Sequence, residues 1–189
     1  MKGWTILIRL FNPYSNLYAN ALYEYTAICY NDSAMKLALK ITPQRTTQYA
    51  HMTAALAVPE LLASPLRTMI SSVEPVKLAG HDYLLATIGD ADFDFTHLRA
   101  ILARLGAINE AYEFFEQIAD VPGPLLRPLA PNFTPFVPFE MAEARRYRGK
   151  TNEIFTRVLL NLAVFAGQHS EPIDGRLRIL DPLVGGGTT

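Results

Sequence analysis

Six prolines, at positions 122, 124, 128, 131, 135 and 138, fall within one short stretch, and no other feature of this chain restricts folding so strongly. Each proline fixes φ and removes a backbone donor, which excludes a helix there and makes a central strand a poor fit. The segment VPGPLLRPLAPNFTPFVP therefore predicts an irregular connector. It divides the chain into an N-terminal domain at 1–121, a connector at 122–148, and a further segment at 149–189.

Periodicity supplies the elements on either side. Trp4 to Phe11 is rich in β-formers and ends at Asn12-Pro13, which predicts a buried strand. From Asn16 to Tyr30 the spacing of Leu17, Ala21, Tyr25 and Ile28 predicts an amphipathic helix. Between Lys36 and Val76 the prolines at 43, 59, 65 and 75 predict short elements rather than one long helix. His81 to Ile88 reads as a strand, and Gly89 opens a turn through Asp90, Asp92 and Asp94. A helix striped by Phe95, Leu98, Ile101, Leu102 and Leu105 follows, with Gly106 as its stop. Ala111 to Ile118 satisfies neither period cleanly, so strand and helix both stay open. Past the connector, Thr151 or Asn152 caps a helix over 151–166 with Ile154, Phe155, Val158, Leu159, Leu162, Phe165 and Ala166 apolar, and Gly167 at its end. Its broad apolar side is expected to bury Leu159 against a strand that ends near Asp181. The whole predicts an α/β chain: an α+β N-terminal domain, then a segment that begins another domain.

Composition narrows the classes. Hydrophobic residues make up 50% and charged ones 19%, enough apolar material for a core and too little charge for a disordered chain. The formal net charge of -1 offers no whole-molecule attraction to a polyanion, so nucleic-acid contact needs a local patch. Cys29 is the only cysteine, which excludes an internal disulfide and fits a reducing, cytoplasmic setting. His51, His81, His97 and His169 stand apart from one another and from Cys29, against a metal site. The opening MKGWTILIRLF is too short for a signal h-region and no run is long enough to span a membrane, so a soluble protein is expected.

Three constellations bear on chemistry. Asp90, Asp92 and Asp94 resemble the start of a calcium loop, but Phe95 stands where that loop needs glycine and Ile101 where it needs glutamate. A solvated turn, with Asp94 or Thr96 capping the next helix, is the expectation. Arg145, Arg146 and Arg148, with Lys150, surround Tyr147 ahead of a helix start, an arrangement suited to phosphate contact or simply to keeping a connector solvated. Last, Leu177-Arg178-Ile179-Leu180-Asp181-Pro182-Leu183-Val184-Gly185-Gly186-Gly187-Thr188-Thr189 reads as a strand that delivers a carboxylate and then a glycine-rich turn. Open α/β sheets bind ligands at such a place, because glycines omit the Cβ atoms that would obstruct them and the carboxylate accepts a hydrogen bond.

At these residues the sequence resembles motif I of class I S-adenosylmethionine-dependent methyltransferases. The form Asp-Pro-Leu-Val-Gly-Gly-Gly-Thr-Thr is similar to that of the amino-group methylases acting on DNA bases and of the tRNA guanosine-N2 methylase lineage. Arg146 to Ala163 is similar to the helix just ahead of motif I in those enzymes. The resemblance covers residues 145 to 189 and implies a Rossmann-like domain with S-adenosylmethionine as cofactor. Asp181, Gly185, Gly187 and Thr188, with Lys150 and Asn152, are then the implied cofactor-binding residues. It further implies methyl transfer to an exocyclic amine of a nucleic-acid base, with RNA, tRNA in particular, favoured over DNA by the long leading domain. The acidic residue after strand two and the Asp/Asn-Pro-Pro-Tyr/Phe motif of such enzymes do not occur in these 189 residues. The sequence is therefore expected to be an N-terminal portion truncated within motif I, inactive by itself and without catalytic residues of its own. A noncatalytic RNA-binding or interaction module is the competing reading.

Overall fold

In MKLALKI the apolar residues Met35, Leu37, Leu39 and Ile41 alternate with Lys36, Ala38 and Lys40, the period of a strand with two different faces. This is β1, Met35–Ile41, the centre of an antiparallel sheet. A computed structural model describes residues 34–89, 94–130 and 151–167 of the chain. The expected strand at Trp4 to Phe11, the expected helix at Asn16 to Tyr30 and the glycine-rich segment around Asp181 lie outside the described residues.

The other strands are β2 (Ile70–Leu78), β3 (His81–Ile88), β4 (Ile108–Ile118) and β5 (Val121–Pro128), in the spatial order β2-β3-β1-β4-β5. All four pairings are antiparallel. Helices α1 (Thr47–Ala63), α2 (Phe95–Leu102) and α3 (Glu153–Phe165), with a short 3-10 helix at Pro65–Thr68, complete the described elements. The described architecture is α+β.

One face of the sheet carries the core. Leu37, Leu39, Leu84, Ala86 and Ile88 meet Ala57 and Leu61 of α1, Leu66 of the 3-10 helix, Leu98, Ile101 and Leu102 of α2, and Val158 of α3. The register pairs Leu39 with Leu84 and Leu37 with Ala86, so these apolar side chains share one side of the pleat. By the same alternation Lys36, Ala38 and Lys40 face the other way, beside Tyr83, Leu85, Glu110 and Tyr112.

Several expectations hold. β3 spans the predicted residues, Asp94 caps α2 by accepting from the Thr96 amide at 2.8 Å, and Asn152 caps α3 from the Phe155 amide at 2.9 Å. Four are corrected. Helix α1 runs through Pro59 for 17 residues. A proline inside a helix costs about 3 kcal/mol, and burial of Ala57 and Leu61 against the sheet, both fully enclosed, offsets it. The start of the expected connector is not irregular, because Val121–Pro128 is an edge strand paired on one side with β4. An edge strand tolerates prolines since half its donors have no partner to lose. Gly106 does not stop α2, which ends at Leu102 with Ala103 as its C-cap. Leu159 is 46% exposed and Val158 is the enclosed residue of α3, so the helix buries the part of its apolar side that carries Val158, Leu162 and Phe165 and turns Leu159 outward. The ambiguous stretch Ala111 to Ile118 is strand, fixed by pairing with β1 and β5.

The turn between β2 and β3 is two residues, Ala79 and Gly80, with φ of 49° and 82°. Both are left-handed, which matches the twist of a two-residue hairpin. Glycine takes that conformation freely and alanine does so under strain, which is why the turn carries little signal in the sequence.

Candidate functional site

Of the residues expected to bind cofactor or nucleic acid, only Asn152 lies among the described residues. Asp181, Gly185, Gly187, Thr188, Lys150, Arg145, Arg146 and Arg148 lie outside them. The Asn152 side-chain oxygen accepts from Phe155, while its carbonyl accepts from the Thr156 amide at 2.9 Å and the Thr156 hydroxyl at 3.0 Å. The carbonyl thus accepts the first bond of the α3 ladder, and the side-chain oxygen satisfies a donor that the helix terminus leaves without an intrahelical partner.

The described residues concentrate polar chemistry in two places that sequence reasoning missed. The first is on the sheet face away from the helices. Glu110 of β4 lies opposite Lys40 of β1 in register, and its Oε1 accepts from Lys40 Nζ at 2.9 Å. Its other oxygen accepts from the Tyr112 hydroxyl, and the Tyr112 ring sits 6.3 Å from that of Tyr83. The Tyr112 bond, followed by the Lys40 bond, holds the Glu110 carboxyl below the usual carboxylate range. Reciprocally, Glu110 pushes the Lys40 ammonium up and the Tyr112 phenol up to about 12, with burial adding to the latter. Near neutrality this group keeps a carboxylate, an ammonium and a neutral phenol in one network, without a poised nucleophile or base. Lys36 and Glu116 form a second ion pair on the same strands. The strand period of MKLALKI sets both lysines on one face, and their partners come from the β1 to β4 register.

The raised phenol gives a direct test. The folded state favours neutral Tyr112, so the contribution is full below the ordinary tyrosine pKa of about 10 and is lost as pH rises through about 12. Tyrosinate absorbance of the native chain should show a component titrating near that upper value, and Tyr112→Phe should reduce that late component by one phenol. An unchanged high-pH limb in the variant would assign the late phenol elsewhere.

The second place is beneath α3. Glu60 of α1 is fully enclosed and its two oxygens accept from the amides of Gly106 and Ala107, each at 2.8 Å. Oε1 also accepts from Asn161 Nδ2 of α3 at 2.6 Å. Beside it, Arg157 donates from Nε to the Arg104 carbonyl at 3.0 Å and from Nη2 to the Ala103 carbonyl at 2.8 Å. Burial pulls the Arg157 guanidinium down from its usual value, and the negative charge of Glu60 opposes that shift. A second buried carboxylate, Glu113, pairs with Arg127 across β4 and β5, and that guanidinium also lies 5.8 Å from the centre of the Phe115 ring.

Among the described residues no group of three or more His, Cys, Asp or Glu is placed to hold a metal ion, and no helix is long and apolar enough to cross a membrane. No protein-family model, curated protein or solved structure matches the chain.

Proposed function

We propose that this sequence belongs to an S-adenosylmethionine-dependent methyltransferase that modifies an exocyclic amine of a nucleic-acid base, RNA in preference to DNA, in the cytoplasm. The α+β unit serves substrate recognition and the residues from 149 onward open a Rossmann-like catalytic domain. The observation that carries this reading is the order Asp181-Pro182-Leu183-Val184-Gly185-Gly186-Gly187-Thr188-Thr189. A capped helix at Glu153–Phe165, in the place the resemblance requires ahead of that motif, supports it.

The donor set suits the cofactor. Asp181 supplies an acceptor for an amino or hydroxyl group, and Gly185 and Gly187 let backbone approach a ligand closely. Bound S-adenosylmethionine supplies an electrophilic methyl on a sulfonium. The work left to the protein is to align the acceptor nitrogen, exclude water and hold an unpaired or flipped base in place.

Calorimetry of S-adenosylmethionine against the complete product of the gene tests the cofactor. Micromolar binding is expected from the wild type and none from Asp181→Ala; equal binding by both, or none by either, overturns the assignment. The substrate is tested by filter binding of structured RNA across a salt series. Charge reversal at Arg145, Arg146 and Arg148 should weaken binding and flatten its dependence on salt, because a protein that neutralises fewer phosphates releases fewer counterions. Identical slopes for wild type and variant would remove those arginines from the RNA contact. RNA binding without cofactor binding would favour the noncatalytic module.

A further inference from the structure

The polar group beneath α3 shows a complementarity that ordinary helix packing does not need. On the receiving side stand three features from different elements: the enclosed Glu60 carboxylate of α1, the carbonyls of Ala103 and Arg104 just past α2, and Gly106 at the entry to β4. On the helix stand Arg157, Val158 and Asn161, which meet all three. Two guanidinium nitrogens of Arg157 reach the two carbonyls, and Asn161 Nδ2 bridges Glu60 Oε1 and the Arg104 carbonyl at 2.6 and 2.9 Å. Gly106 has no left-handed φ to account for it. A Cβ there would stand 2.9 Å from both the Val158 backbone nitrogen and Val158 Cγ2, so glycine is what lets the α3 backbone come this close.

Glu60 would hold the Gly106 and Ala107 amides without the helix, so half the seat is built independently of its occupant. The carbonyls past α2 are groups that a helix end leaves unsatisfied, and here a neighbouring helix satisfies them. Such directional contacts fix rotation and register about the helix axis, which apolar packing by Phe155, Leu162 and Phe165 leaves looser.

We infer that the juxtaposition of Glu60, Gly106 and the Ala103 and Arg104 carbonyls with Arg157, Val158 and Asn161 is an orientation lock, which makes α3 the closing element of the α+β unit and not a body that turns freely about the proline-rich segment. The inference stands whatever reaction the chain serves. Under the methyltransferase reading it adds that the element leading toward the cofactor turn shares one rigid frame with the recognition unit.

Spin-label distance measurements on the 189-residue chain test it. In a Cys29→Ser background, nitroxides at Leu159→Cys on α3 and Val121→Cys on β5, both exposed positions, report the orientation of the helix. A second pair at Ser72→Cys and Val121→Cys, on the two edge strands, reports the sheet. The native chain should give a single narrow distance for each pair. Arg157→Ala combined with Asn161→Ala should broaden the helix distance while leaving the sheet distance narrow, and Arg157→Lys, which keeps one donor, should broaden it less. A broad helix distance in the native chain, or an unaltered narrow one in the double variant or in the Arg157→Lys, Asn161→Ala chain should the first not fold, overturns the lock.

Discussion

Replacing Glu60 by leucine is expected to destabilise the chain by about 3–5 kcal/mol, the range for removing one partner of a buried charged network. The side chains are similar in size, so little of the loss comes from packing. It comes from the two backbone amides, Gly106 and Ala107, and from Asn161 Nδ2, all of which lose their acceptor in an enclosed site. Glu60→Gln should cost less but still substantially, since its amide group can accept only through one oxygen and faces two backbone donors. Urea unfolding followed by circular dichroism gives the comparison. A midpoint for Glu60→Leu equal to that of the native chain would mean that the amides find other partners, and would remove Glu60 from its central place in the fold.

The second large effect separates two neighbours on α3. Val158→Asp should destabilise by about 3–5 kcal/mol, because a carboxylate would be forced into an apolar contact with no counter-charge provided for it. Leu159→Asp should lie within about 0.5 kcal/mol of the native chain, as surface substitutions do. The valine is fully enclosed and the leucine is nearly half exposed. Reading the amino-acid pattern alone places both residues on the buried side and expects a large effect at Leu159 too, so the pair of denaturation midpoints distinguishes the observed helix orientation from the one its apolar side suggests.

That contrast shows where local information ends. The apolar stripe of α3 is broad enough that periodicity accepts several rotations of the helix, and only its seat on Gly106 selects one. Of the candidate cofactor residues, Asn152 was legible as one of two cap candidates, beside Thr151, because capping is settled within three residues of sequence. Glu60 was not legible as a central residue. An acidic residue following a proline in an alanine-rich helix has no local signature, and its partners lie 46, 47 and 101 residues away.

By itself, the sequence determined the span of β3, the existence of α2 and α3, and their caps to within two candidates each, Asp94 or Thr96 and Thr151 or Asn152, since each depends on contacts within a few residues or on a strict two-residue period. The tertiary structure decided the rest: that Pro59 is carried inside α1, that Ala111 to Ile118 pairs as strand, that prolines 122, 124 and 128 sit on an edge strand, and which side of α3 is buried. In each of these cases the local preference was weak or adverse, and a partner distant in sequence supplied the burial or hydrogen bonds that outweighed it.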